Sequence, residues 1–383
     1  MDSSPARKTG SFERSLLARL DAQDRVRDFL ARAVSSGRTS HAYLFLGAPG
    51  SGKLDAAWAL AQALICEDGG CGVCDACIRV ARHTHPDVHH LAPDSATGYL
   101  IGQIREMLED VSLAPIRARS KVYIIEQAGQ LRPNTANALL KTLEEPPEGV
   151  TFILIGPSAD AMLPTIVSRC QCVPFRTISP TRAADMVARS TGAPLSNCRM
   201  AVAVAGSPAR AIEFLRSAER QEARRAMLRA IDALAHDDEA DILAAAKELV
   251  LVIKAPLAEV KSTQQAVLEQ NADYLSRGAL KQLEDRNKRE LSARERSGIM
   301  EALACARSLV RDVLLRLQDA SIDLVNEDAA DIVERICSHT SVPGATRALD
   351  AVLAAESRIQ RNITPQLTIE VMLFDMRKAL TCP

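Results

Sequence analysis

His41-Ala42-Tyr43-Leu44-Phe45-Leu46 runs directly into Gly47-Ala48-Pro49-Gly50-Ser51-Gly52-Lys53, and Leu54 to Ile65 follows as a segment rich in Ala and Leu. The opening apolar run has the length and character of a strand buried in a parallel sheet, and the closing segment has helical spacing. Between them, Gly47, Gly50 and Gly52 free the backbone to turn its N–H groups around a phosphate at the helix amino end. Lys53 supplies the neutralising charge. Strand, glycine loop and helix together form the context a P-loop needs and predict an α/β domain that receives a nucleotide phosphate. The hydroxyl residue that would hold Mg²⁺ after the lysine is replaced by Leu54, so metal binding is expected to be weakened.

Working outward, Lys121-Val122-Tyr123-Ile124-Ile125 reads as a second buried strand, ending in Glu126-Gln127. Leu139, Leu140 and Leu143 share a helical face in Asn137-Ala138-Leu139-Leu140-Lys141-Thr142-Leu143-Glu144-Glu145-Pro146-Pro147, and the proline pair stops that helix. Thr151 to Ile155 reads as another buried strand. A Gly-Pro turn and a shorter helical segment ending near Ser168 follow, which places Arg169 at the end of a rigid element. A lone arginine in such a place reads first as a satisfied structural cation.

Cys66, Cys71, Cys74 and Cys77 lie between the first two strands, with glycines at 69, 70 and 72. Four thiolates so closely spaced suit a closed tetrahedral zinc site; an iron–sulfur cluster or inert thiols are the competing readings. His83, His85, His89 and His90 follow, but four cysteines already fill zinc's coordination, so these histidines are expected to be solvated or structural.

Hydrophobic residues make up 47% of the 383 and charged residues 25%, as in a soluble globular protein of two or three domains. With only seven Phe, four Tyr and one Trp, the cores must be built from aliphatic residues, which favours helices. A formal net charge of −1 argues against a surface dedicated to nucleic acid. The start, Met1 to Lys8, lacks a signal-peptide core and charges interrupt every long apolar run, so a cytoplasmic protein without membrane contact is expected.

From Ser179-Pro180 onward strand-like segments stop and apolar positions recur three and four apart. Lys281, Arg286, Lys288, Arg289, Arg294 and Arg296 interleave with Glu284, Asp285, Glu290 and Glu295, the pattern of a solvated helix face rather than a DNA contact.

Asn137 to Pro147, followed by Ser168-Arg169-Cys170, resembles the clamp-loader subunits of bacterial DNA polymerase III. The cysteine module after the P-loop helix, with Thr84-His85-Pro86-Asp87 behind it, is similar to the same family, although the gap after Cys66 is shorter than is common there and leaves Cys66 the weakest ligand candidate. The resemblance implies an α/β plus all-α fold: an AAA+ P-loop parallel-sheet domain with a zinc-binding insert, a small helical lid and a C-terminal helical collar. On this chain that gives a loose tail at 1–14, the AAA+ domain at 15–178 with the zinc module at 66–77, the lid at 179–218 and the collar at 219–383. Asn362 to Leu373 resembles the collar's end.

The family's active ATPases end the second strand in Asp-Glu, for magnesium and for the attacking water. Here Glu126 keeps a carboxylate, while Gln127 cannot accept a proton at neutral pH. With Leu54, this implies a degenerate ATP site that binds ATP or ADP through Gly47, Gly50, Gly52, Lys53 and Glu126, and performs no chemistry of its own. Gly206-Ser207-Pro208-Ala209-Arg210 resembles the family's second nucleotide-sensing motif, which would bring Arg210 near a phosphate. In the family the Ser-Arg-Cys arginine is a finger, so Arg169 is expected to reach ATP held by a neighbouring subunit. The delta-prime type is thus implied, within a five-subunit ring that loads the sliding clamp on primed DNA as part of the polymerase holoenzyme. An active motor subunit of the gamma/tau type is the alternative.

Overall fold

The computed structural model describes residues 15–93, 98–236, 238–271, 277–361 and 363–381; the tail expected at 1–14 and Asn362 lie outside them. The chain divides into two compact units, through Ser179 and from Pro180.

In the first unit, five parallel strands stand in the order β2-β3-β4-β1-β5: β1 Ala42–Leu46, β2 Val88–Leu91, β3 Lys121–Ile125, β4 Val150–Gly156 and β5 Gln171–Pro174. All seven residues of β4 are buried, because it is central and covered on both faces. Side chains alternate across a strand, and this sorts the apolar runs into two cores. Tyr43, Phe45, Val122, Ile124 and Ile153 pack with α2 (Lys53–Ile65) on one face. Leu44, Tyr123, Ile125, Phe152 and Leu154 pack on the other with α4 (Ile101–Val111) and α5 (Pro133–Glu144). On α5, Leu139 and Leu143 are buried and Leu140 partly so. The parallel sheet with its glycine loop after β1 is the α/β part of the fold expected from the sequence.

Two strands were not expected from the sequence. β2 carries His89 and His90 in place of aliphatics, and β5 is a short edge strand ending in Pro174, where a missing donor costs nothing. The remaining helices here are α1 (Asp24–Ser35), α3 (Asp75–Ala81) and α6 (Pro164–Val167).

The second unit is helical throughout its described residues: α7 Pro180–Thr191, α8 Leu195–Ala205, α9 Pro208–Arg216, α10 Ala218–Ala233, α11 Glu239–Asn271, α12 Arg277–Leu317, α13 Ala330–Cys337, α14 Val342–Gln360 and α15 Pro365–Thr381. One apolar core includes Val187, Phe214, Met227, Leu249, Leu309, Val352 and Met372. Arg224, buried on α10, forms a two-point ion pair with Asp328 at 2.6 and 2.8 Å and so fastens the segment before α13. Of the expected alternating-charge face, Arg294 pairs with Glu290 and Lys254 with Glu295; the side chains of Asp285, Arg286 and Arg289 lie outside the described residues. No helix among the described residues is long and apolar enough to cross a membrane.

Candidate functional site

The helix α2 carries a candidate site at each end. At its start, Gly50 and Gly52 have φ of +76° and +81°, conformations that a side chain would strain. A Cβ on Gly47 would stand 2.7 Å from the Phe175 carbonyl oxygen, so close packing of the loop on the segment after β5 requires glycine there. Lys53 Nζ donates to the carbonyls of Gly47 and Ala48, at 2.5 and 2.6 Å, and to Ser51 Oγ at 3.2 Å. Burial lowers the pKa of this lysine, and these oxygens are its partners. Leu54, where a magnesium ligand would stand, packs instead against the α2-side core.

The end of β3 is likewise satisfied from within. His90 Nε2 lies 3.1 Å from Glu126 Oε1, and the Glu126 carbonyl accepts a bond from the Tyr99 hydroxyl. Gln127 is left-handed, with φ +47°, and its side-chain oxygen accepts from Gln130 Nε2 at 2.6 Å. Sequence reasoning missed His90. Its position opposite Ile124 puts it on the α2 face, and only recognition of β2 as a strand could have shown that.

Cys66 follows α2 directly, and all four sulfurs of Cys66, Cys71, Cys74 and Cys77 lie within 4.8 Å of one another. The Cys66–Cys74 and Cys71–Cys77 sulfurs are 3.7 and 3.9 Å apart. Vertices of a tetrahedron of sulfurs at about 2.3 Å from a central ion are separated by about 3.8 Å, so the donor set fits such an ion. Left-handed Gly69, Gly70 and Gly72 make the turns, and the Cys71 and Cys77 amides donate to the Cys66 and Cys74 sulfurs. Burial works to raise the Cys71 thiol, but the Val73 and Cys74 amides prevail and bring it down to about 7; burial pushes Cys77 up. The shorter gap after Cys66 does not keep it from the cluster.

Of the nearby histidines, His85 is buried and His89 half-buried, while His83 and His90 are exposed. His83 stacks on Trp58 with ring centres 3.9 Å apart, and His89 stacks on Tyr123 at 4.8 Å. Buried His85 accepts from the Asp87 amide. Asp87 is fully buried, and its carboxylate takes the amides of Ile116, Ala118 and Arg117 at 2.6 to 2.8 Å. Burial would raise the Asp87 pKa, yet the three amides hold it below the usual carboxylate value.

Arg169, just past α6, is held on the last residue of α5. Its Nε donates to Glu144 Oε1 at 2.6 Å, Nη2 donates to the same oxygen, and Nη1 reaches the Thr165 carbonyl at 2.9 Å and Ser168 Oγ at 3.2 Å. In the second unit, Arg210 Nη2 bonds Glu301 at 2.9 Å and Ser297 at 3.0 Å.

Residues 22–179 match the family model described as "DNA polymerase III, delta subunit". Over this stretch the chain is similar to subunits of bacterial DNA polymerase III. Among relatives, the delta' subunit of Bacillus subtilis is 36% identical over 56% of this chain and 65% of its own length. The tau subunit of Escherichia coli is 42% identical over 39% of this chain and 23% of its own. The gamma/tau subunit of Mycobacterium tuberculosis is 35% identical over 45% of this chain and 30% of its own. The chain thus spans less than two thirds of each of these relatives.

Proposed function

We propose that this chain is the non-motor, delta-prime-type subunit of a clamp loader. It joins a hetero-pentameric ring in the cytoplasm, helps open the sliding clamp and place it on primed DNA, and lends Arg169 to ATP bound by an adjoining subunit. Residues 179–218 would serve as lid and 219–383 as collar. The cysteine module holds one zinc ion as a closed structural site, since four cysteine sulfurs leave no open coordination position.

One observation carries the non-motor reading: the groups that would handle magnesium and water are absent or engaged elsewhere. Leu54 is partly buried against the core, Glu126 is paired with His90 and Gln127 is bonded to Gln130. Nucleotide binding through Gly47, Gly50, Gly52 and Lys53 is compatible with this, with Lys53 turning from the loop carbonyls to the phosphate. For Arg210 to approach a phosphate it would have to leave Glu301.

The gamma/tau motor reading draws on the intact Gly47–Lys53 loop and on identities of 35 and 42% to such subunits. Steady-state ATPase of the purified chain decides between them. Turnover near background is expected, and recovery through Leu54→Thr, Glu126→Asp and Gln127→Glu together only when a neighbour also supplies a finger. Robust magnesium-dependent hydrolysis by the unaltered chain would promote the motor reading.

A further inference from the structure

We propose that Glu144 is a positioning residue for Arg169, fixing its guanidinium so that the free remainder of the fork faces the neighbour's phosphate. This rests on the reading of Arg169 as acting in trans. Of the five N–H groups of a guanidinium, four are used within the chain: one from Nε and one from Nη2 on Glu144, and two from Nη1 on Thr165 and Ser168. A long, flexible side chain is thereby reduced to a single rotamer before any phosphate arrives, and one Nη2 hydrogen remains to be offered. Preorganisation of this kind lowers the barrier because ordering is complete before the reaction begins.

The place of Glu144 strengthens the case. It is the last residue of α5, where the partial negative charge of the helix carboxyl end disfavours a carboxylate, and Glu145 stands next to it. Its side chain is 47% exposed, so its pair with Arg169 contributes little to folding. A residue placed against the helix dipole and nearly neutral for stability is best explained by what it does to the arginine.

The two roles separate experimentally because stability and turnover should move apart. Glu144→Gln, Arg169→Ala and the double variant are each assembled with the partner subunits, the ring is verified by sizing, and DNA-stimulated ATPase is measured against ATP concentration. Glu144→Gln should leave the thermal midpoint of the chain unchanged or raised. It should also slow the one site that Arg169 serves by on the order of tenfold in kcat, with KM unaltered, as a small misplacement of a catalytic group does. The double variant should be no slower than Arg169→Ala. Normal or faster turnover in Glu144→Gln beside a defective Arg169→Ala would overturn the positioning role and leave the trans reading intact. Additive losses in the double variant would also overturn it. Full activity of Arg169→Ala in an intact ring would remove the trans reading itself.

Discussion

The two ends of α2 make opposite demands on their surroundings. At the amino end, the groups expected from the sequence to meet a nucleotide, its magnesium or its water have partners in the chain: Lys53 has its own loop carbonyls, Glu126 has His90 and Gln127 has Gln130. At the carboxyl end, four sulfurs converge within 4.8 Å, and the Cys71 and Cys77 amides donate to the Cys66 and Cys74 sulfurs. The donors of the first end are satisfied within the chain, whereas the four sulfurs of the second are placed so that they could share one metal ion.

The largest consequence belongs to the metal end. Structural zinc binds with apparent free energies of about 10–16 kcal/mol in small peptides, and that binding is local folding energy. Elemental analysis should find one zinc per chain after a chelator wash, and Cys74→Ser should lose it, with the 66–82 segment becoming labile to protease while the sheet stays folded. Iron, no metal, or an unchanged zinc content in the variant would break the comparison at its stronger side.

How far this was readable without coordinates differs between the two ends. The P-loop, the cysteine set and β1, β3 and β4 follow from local pattern, because a buried parallel strand is a continuous apolar run and both motifs are contiguous in sequence. The partners of those motifs are not contiguous. His90 meets Glu126 only because β2 pairs in register with β3, and β2 hides behind polar histidines. Glu144 meets Arg169 across 25 residues of sequence that fold β4 and α6 between them. Departures such as Leu54 and Gln127 were visible as missing chemistry, but the bonds that the substituted groups make instead depend on tertiary placement.

A third amide cluster offers an intermediate case. Ile116, Arg117 and Ala118 point three N–H groups at one anion, as a P-loop does, but the anion is the chain's own Asp87. Asp87→Asn leaves the shape and removes the charge; since hydrogen bonds to charged groups are worth about 1.5–3 kcal/mol, unfolding free energy in urea should fall by roughly that much. The folded pKa is depressed, so the carboxylate's contribution is fully present above the ordinary aspartate value near 3.8 and is lost as pH falls through the folded value. The gap between Asp87→Asn and the unaltered chain should therefore be constant from neutral pH down to about 5 and narrow below about 4. A gap that narrows already near pH 6 would overturn the assignment to the Asp87 carboxylate.

The smallest effect is expected at the amino end of α2, where a nucleotide must compete with bonds already made. Phosphate can enter only if Lys53 exchanges the Gly47 and Ala48 carbonyls for it, so much of the gain on binding is offset by bonds given up. Stabilisation follows RT ln(1 + [L]/Kd), which is about 0.4 kcal/mol when nucleotide merely equals its Kd; a rise in thermal midpoint of no more than a degree or so is expected at millimolar ATP. EDTA should not change it, because Leu54 offers no ligand to magnesium and Glu126 is committed to His90. Trp58 gives an independent reading, being the single tryptophan, on α2 little more than a turn beyond Lys53 and stacked on His83. Because His83 follows the cysteine module, stripping zinc should disturb that stack and shift Trp58 emission strongly, while ATP shifts it weakly. A large ATP-induced change that also requires magnesium would mean that the amino end is held open for its ligand as the carboxyl end is, and the asymmetry between the two ends of this helix would fail.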